Sequence, residues 1–189
     1  PEADITVIDT LCASYGFGMV VQRAAELVRQ GVEKDTLVEL VTFYAKHQQH
    51  VFSVDNLEYL RRGGRVSNVA AFFGGMLNIK PVLDVEEGKL IPVYKCRGHK
   101  KAMQKLIDMV KERSTHSDIS NQVVGITHSD CMDTVEEVEA MMREQLGVTK
   151  FEVGEIGSVI SCHTGPGTIA IFFVDEWPKE AAYQVVKKG

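Results

Sequence analysis

The stretch Leu60-Arg61-Arg62-Gly63-Gly64-Arg65 constrains this chain more than any other. Two adjacent glycines stop a short helix sharply, because glycine enters the left-handed conformation without steric cost. Leu57 and Leu60 give that helix an apolar side, and Asp55 stands where a cap is needed. Past the glycines, Val66, Val69, Ala70, Phe73 and Met76 share one face of an apolar helix over residues 66–77. Leu77-Asn78-Ile79-Lys80-Pro81-Val82 then opens a strand. Helix stop, apolar helix and strand in such close succession point to a packed α/β body.

The rest of the chain reads the same way. Residues 5–9 form a short apolar run ending in Asp9, expected as a buried strand. Val20, Ala24, Leu27 and Val28 fall at helical spacing, and Gly31 stops that helix. Asp35 precedes a second helix with Leu37, Val38, Val41, Tyr44 and Ala45 inward, and residues 51–54 make another strand. Strand, helix, helix, strand implies a parallel layer with crossovers. Residues 78–85 and 90–97 flank Glu86-Glu87-Gly88 as a hairpin. Helices are expected over residues 99–111 and 134–146, and strands over 123–127, 151–153 and 168–174. A hairpin implies an antiparallel or mixed sheet in this half, with helices on one face.

Composition narrows the function. A net charge of −5 without a long basic run makes nucleic acid a poor partner. The apolar run over residues 66–77 is interrupted by Ser67, Asn68, Gly74 and Gly75, so it does not read as a membrane span, and no signal peptide is expected. Cys12, Cys96, Cys131 and Cys162 are scattered, which fits a reducing cytoplasm better than a disulfide framework.

Several residues could carry chemistry. Arg65 either presents guanidinium donors to an anion or packs over a seam between domains. Arg97, at the end of Lys95-Cys96-Arg97-Gly98, is a second fixed cation or a strand-end charge in solvent. His163 precedes Thr164-Gly165-Pro166-Gly167, a tight loop whose N–H groups can face an anion; its imidazole either meets a carboxylate or is a satisfied structural group. Asp9, Thr10 and Ser14 face a cleft or cap the following helix. Gly16-Phe17-Gly18 lacks the third glycine of a dinucleotide fingerprint. The pairs Cys96 and His99, His128 and Cys131, Cys162 and His163 have loosely zinc-like spacing but sit on different elements, so no metal site is expected.

Four blocks, Leu60 to Arg65, Leu77 to Val82, Lys95 to Gly98 and Cys162 to Gly167, occur in the order and spacing of DegV, the bacterial fatty-acid-binding proteins, which the chain resembles. The resemblance implies an α/β, DegV-like two-domain fold. Residues 1–64 would be the remainder of a first domain with a partial parallel sheet, and residues 65–189 a second domain with an antiparallel or mixed sheet and helices. Relative to the family the chain is N-terminally truncated, lacking the upstream hydroxyl-bearing loops that grip the ligand carboxylate.

The same resemblance implies a carrier without catalysis or cofactor. It holds a long-chain fatty acid between the two domains and presents the carboxylate to a fatty-acid kinase catalytic subunit, which makes an acyl-phosphate for phospholipid synthesis. His163, with Thr164, would meet the head group. Phe73, Met76 and Ile79 would line the acyl tunnel, together with Phe72 and Leu77. Arg65 belongs to the ligand site and the phosphoryl partner, Arg97 to the partner alone. The implied partners are the fatty acid, the kinase subunit and peripheral contact with a membrane. The alternative is an enzyme acting on a small phosphorylated or acyl substrate, with His163 as acid–base and Arg65 and Arg97 as anion clamps. A zinc hydrolase using the Cys/His pairs is a third.

Overall fold

In the computed structural model, which describes residues 3–66 and 78–179, six strands form one mixed sheet. In chain order the elements are α1 (Ser14–Arg29), α2 (Lys34–His47), β1 (Gln48–Ser53), α3 (Glu58–Arg62), β2 (Ile79–Glu86), β3 (Lys89–Arg97), α4 (His99–Arg113), β4 (Val123–Ser129), α5 (Met132–Leu146), β5 (Lys150–Glu155), α6 (Ser158–Thr164) and β6 (Thr168–Val174). The strand order is β3-β2-β1-β6-β4-β5. Among the described strands of this sheet only β4 and β5 pair in parallel, joined through α5, because a parallel pair needs a crossover. The hairpin of β2 and β3 turns at Glu87 and Gly88, both with positive φ.

The mixed α/β sheet agrees with expectation, and three details differ. Residues 5–9 form no strand: Ile5 and Val7 are 76% and 88% exposed, with no strand beside them among the described residues. Among the described residues no parallel layer precedes residue 64. Instead β1 pairs antiparallel with β2 on one side and β6 on the other, so one sheet joins residues on both sides of the division expected at 64/65. Helices cover both faces, not one. α4 and α5 pack Ala102, Leu106, Ile107, Val138 and Met142 against Val51, Val82, Ile126, Ile169, Ile171 and Phe173. On the opposite face α1 and α3 meet Phe52, Leu83, Ala170 and Phe172. Period-two alternation along the strands produces this division. α1 and α2 form a further cluster through Val20, Leu27, Leu40, Val41 and Tyr44.

Candidate functional site

The α1/α3 face of the sheet is incompletely filled. β1 contributes His50 and Phe52, β6 contributes Thr168, Ala170 and Phe172, and the hairpin contributes Val85 and Leu90. Together with the start of α1, α3 and α6 they enclose a cavity of about 190 Å³. Its walls are apolar except for a few hydroxyls, two imidazoles and the Arg65 guanidinium. Pockets that swallow most of a drug-sized ligand hold roughly 300–1,000 Å³. This cavity is smaller than that range.

Local sequence explains how each wall is held. α3 ends in a Schellman motif: the Gly64 N–H donates to the Arg61 carbonyl at 3.0 Å and the Arg65 N–H to the Leu60 carbonyl at 2.9 Å. Gly64 is left-handed, with φ +65°, as the motif requires. The cap at the other end comes from Asn56, whose Oδ1 accepts from the Glu58 N–H at 2.9 Å. Asp55, expected in that role, accepts instead from Lys80 Nζ.

α6 adds to the expected elements: a short helix leads into the Gly-Pro-Gly loop. Ile160, His163 and Thr164 fall at i, i+3 and i+4 on its cavity side. The buried Thr164 hydroxyl donates to the Ile160 carbonyl at 3.2 Å and keeps its lone pairs free to accept. The Thr168 hydroxyl donates to the Gly165 carbonyl at 2.8 Å.

Two imidazoles face the cavity, and each rests on a glycine. A methyl group on Gly63 would overlap His163 Nδ1, so α3 and α6 approach this closely only because residue 63 has no Cβ. His163 Nδ1 is buried and has no hydrogen-bond partner among the described residues. The less costly tautomer leaves Nδ1 as a bare lone pair and puts the proton on Nε2. A methyl group on Gly16 would likewise overlap His50 Nε2. His50 Nε2 accepts from the Ala13 N–H at 3.4 Å, tying the N-terminus of α1 to the sheet. Its ring stands edge-on to Phe172, with centroids 5.3 Å apart. Burial pushes the His50 pKa down to about 4, against the backbone hydrogen bonds at Gln48 and Ala13 and the Asp84 charge. His50 is therefore neutral at pH 7.

Residues 1–176 match the model of a family described as "Uncharacterised protein, DegV family". The chain belongs to the DegV family. It is 37% identical over 177 residues to a DegV domain-containing protein of Clostridium perfringens, covering 93% of this chain and 60% of that protein. A Thermotoga maritima protein described as a fatty acid-binding protein is 34% identical over 172 residues, covering 89% of this chain and 59% of its own length. The solved structure of a DegV family protein from Thermus thermophilus, described as fatty acid binding, superposes with a TM-score of 0.79 at 34% identity. That match covers 88% of this chain and 59% of the Thermus protein. The chain thus spans about three fifths of the length of these relatives.

This DegV chain brings His163, Thr164 and Arg65 to one cavity, and Ser14 joins them from α1. Arg65 is exposed at the rim, with Nη1 donating to the Gly63 carbonyl at 3.2 Å. Asp9 and Thr10 do not line it; the Asp9 carboxylate accepts from the Leu11 N–H at 3.0 Å. Ile79 does not reach it either. Six residues at about 3.3 Å each put Ile79 about 20 Å along β2 from Val85. Ile79 is paired there with Arg97, which is exposed and also off the cavity wall. Phe73 and Met76, like Phe72 and Leu77, lie outside the described residues. His50 and Thr168 were not anticipated. No sequence signal marks His50: β1 reads Gln-Gln-His-Val-Phe-Ser, and only its pairing shows that His50 shares a face with Phe52.

Among the described residues no group of three His, Cys, Asp or Glu side chains is arranged to hold a metal ion. Cys131 instead donates its N–H to His128 Nδ1 at 3.4 Å, and burial raises its thiol pKa. No helix of the described residues is long and apolar enough to cross a membrane.

Proposed function

We propose that this chain is the larger part of a fatty-acid carrier. The acid group lies at the α6 end of the cavity, where His163 Nε2–H donates to a carboxylate oxygen and Arg65 adds positive charge at the rim. The first part of the acyl chain lies against Phe52, Leu60, Ala170 and Phe172. One observation carries this reading: an apolar cavity whose lining brings together the His163 imidazole, the Thr164 hydroxyl and the Arg65 guanidinium. Each enclosed methylene contributes about 0.8 kcal/mol, so even a partly enclosed tail binds firmly. The relatives described as fatty acid binding support the ligand class.

The carrier has no catalytic role of its own. It presents the carboxylate to a separate kinase subunit that forms the acyl-phosphate, as the Gly-Gly-Arg and Lys-Cys-Arg-Gly blocks suggest. The apolar lining supports this over an enzyme for a small polar substrate, since such a substrate gains little from apolar walls. Organic extraction of the purified protein followed by mass spectrometry, with titration of delipidated protein by oleic acid, tests the reading. A bound fatty acid and saturable binding are expected. Absence of both would overturn it.

A further inference from the structure

α3 and the end of α6 meet at glycines. A methyl group on Gly165 would lie 2.5 Å from Cδ2 and 2.7 Å from Cε2 of Tyr59, closer than real Cβ atoms come. One turn further along α3, a methyl group on Gly63 would overlap His163. Ahead of α3, the Asp55 carboxylate would lie 2.6 Å from a methyl group on Gly167. Positions 55, 59 and 63 thus oppose 167, 165 and 163, in antiparallel order. Tyr59 and Gly63 are four residues apart and share one side of α3. That one side both grips the end of α6 and lies against the His163 imidazole.

Gly165 is the joint between α6 and β6. Its N–H donates to the Ser161 carbonyl at 2.8 Å, and its carbonyl accepts from the Thr168 hydroxyl at 2.8 Å. With φ +79° and ψ 175° it occupies backbone space that is essentially reserved for glycine. His163 and Thr164, which line the cavity, immediately precede it. His163 Nδ1 has no hydrogen-bond partner among the described residues, so packing alone fixes that edge of the imidazole. Tyr59 does not line the cavity, is 40% exposed and belongs to none of the buried clusters. Burial in the core therefore does not account for so close a contact.

We infer that Tyr59 is a positioning residue: its ring, resting on Gly165, fixes the last turn of α6 so that His163 Nε2 meets the acid group of the ligand. The inference rests on the fatty-acid reading and names what aims the imidazole. A hydrogen bond weakens steeply as its angle departs from linear, whereas burial of an apolar tail is non-directional. Loss of the ring should therefore be felt by the acid group and not by the tail.

Tyr59→Leu keeps apolar bulk and removes the ring. In the delipidated 189-residue chain, its affinity for oleic acid is expected to fall about fivefold, and that for oleyl alcohol by less than about twofold. In NMR spectra, oleic acid should shift the His163 imidazole resonances of the wild type and move those of the leucine variant less. Tyr59→Phe should match the wild type, because ring carbons and not the hydroxyl make the contact. Equal loss of acid and alcohol affinity in the leucine variant would assign the ring to the fold and overturn the inference. Failure of that variant to fold while Tyr59→Phe folds would do the same. An unchanged oleic acid affinity would overturn it while leaving the carrier reading standing. A wild type that binds neither lipid would remove the carrier reading and the inference with it.

Discussion

The two faces of the central sheet use neighbouring residues of the same strands to opposite ends. On the α4/α5 face, Leu106, Ile126, Ile171 and Phe173 are fully buried, and the buried carboxylate Asp84 is gripped bidentately by Arg113. One position along, the strands turn Phe52, Ala170 and Phe172 to a face that keeps a cavity, with His50 and His163 in its wall. There Thr127 Oγ1 and His163 Nδ1 go unmatched among the described residues. Buried polar groups in a finished core are paired, and exceptions call for a reason. The difference teaches that polar satisfaction, rather than hydrophobicity, separates the closed face from the face that keeps a cavity.

Truncating each face should show the largest contrast. Leu106→Ala on the closed face leaves a void among fully buried neighbours and should cost about 3 kcal/mol in denaturant unfolding. Leu90→Ala, on a wall that already borders empty space, should cost about 1 kcal/mol. Equal losses would mean that the open face is as tightly packed as the closed one.

Acid should act through the open face next. His50 has a folded pKa of about 4, below its unfolded value of about 6.5. The unfolded chain therefore binds the proton more readily, and stability rises with pH across that window. Lowering the pH from 6.5 to 4 should remove about 3 kcal/mol, and below 4 the loss from this group is complete. His50→Gln should flatten that part of the stability–pH curve. An unchanged slope in the variant would exclude His50 as its source.

The adjacent glycines of the Gly-Gly-Arg block give a smaller and more selective contrast. Gly63 has ordinary right-handed angles, φ −76° and ψ 0°, so alanine there carries no backbone strain, but its methyl displaces His163. Gly63→Ala should weaken oleic acid binding about fivefold and cost about 1 kcal/mol of stability. Gly64 is left-handed and faces open space, so Gly64→Ala should cost a similar stability while sparing affinity. The same loss of affinity in both would show that the block acts only by holding α3.

Most elements were legible because their signals are local. Turn residues gave the β2–β3 hairpin, a continuous apolar run gave β6, and helical spacing gave α1, α2, α4 and α5. The strand expected over residues 5–9 failed because apolar character predicts burial only where something covers it. Pairing partners are non-local, which is why β1 read as part of a parallel layer although both its neighbours are antiparallel. The candidate site was half legible. His163, Thr164 and Arg65 stand out by motif. His50 and Thr168 sit inside strands, and only the sheet register shows that they face a void.

Arg97 should give the smallest effect on fold and lipid, and for that reason tests the division of labour most cleanly. It is exposed at the end of β3, outside the cavity wall, and is followed by His99, Lys100 and Lys101 at the start of α4. His99 Nε2 meets Glu137 at 2.8 Å. Lys100 and Lys101 are exposed, and cations at a helix N-terminus oppose its dipole, so the helix itself does not select this basic surface. A surface substitution of this kind changes stability by less than about 0.5 kcal/mol. Arg97→Ala should therefore leave the melting temperature and the oleic acid affinity unchanged. Phosphorylation of the bound acid by a fatty-acid kinase catalytic subunit should slow, with the loss greatest at low salt, where contacts between charged surfaces are strongest. A parallel fall in lipid affinity would place Arg97 with the open face after all, and the separation between holding the acid and presenting it would no longer stand.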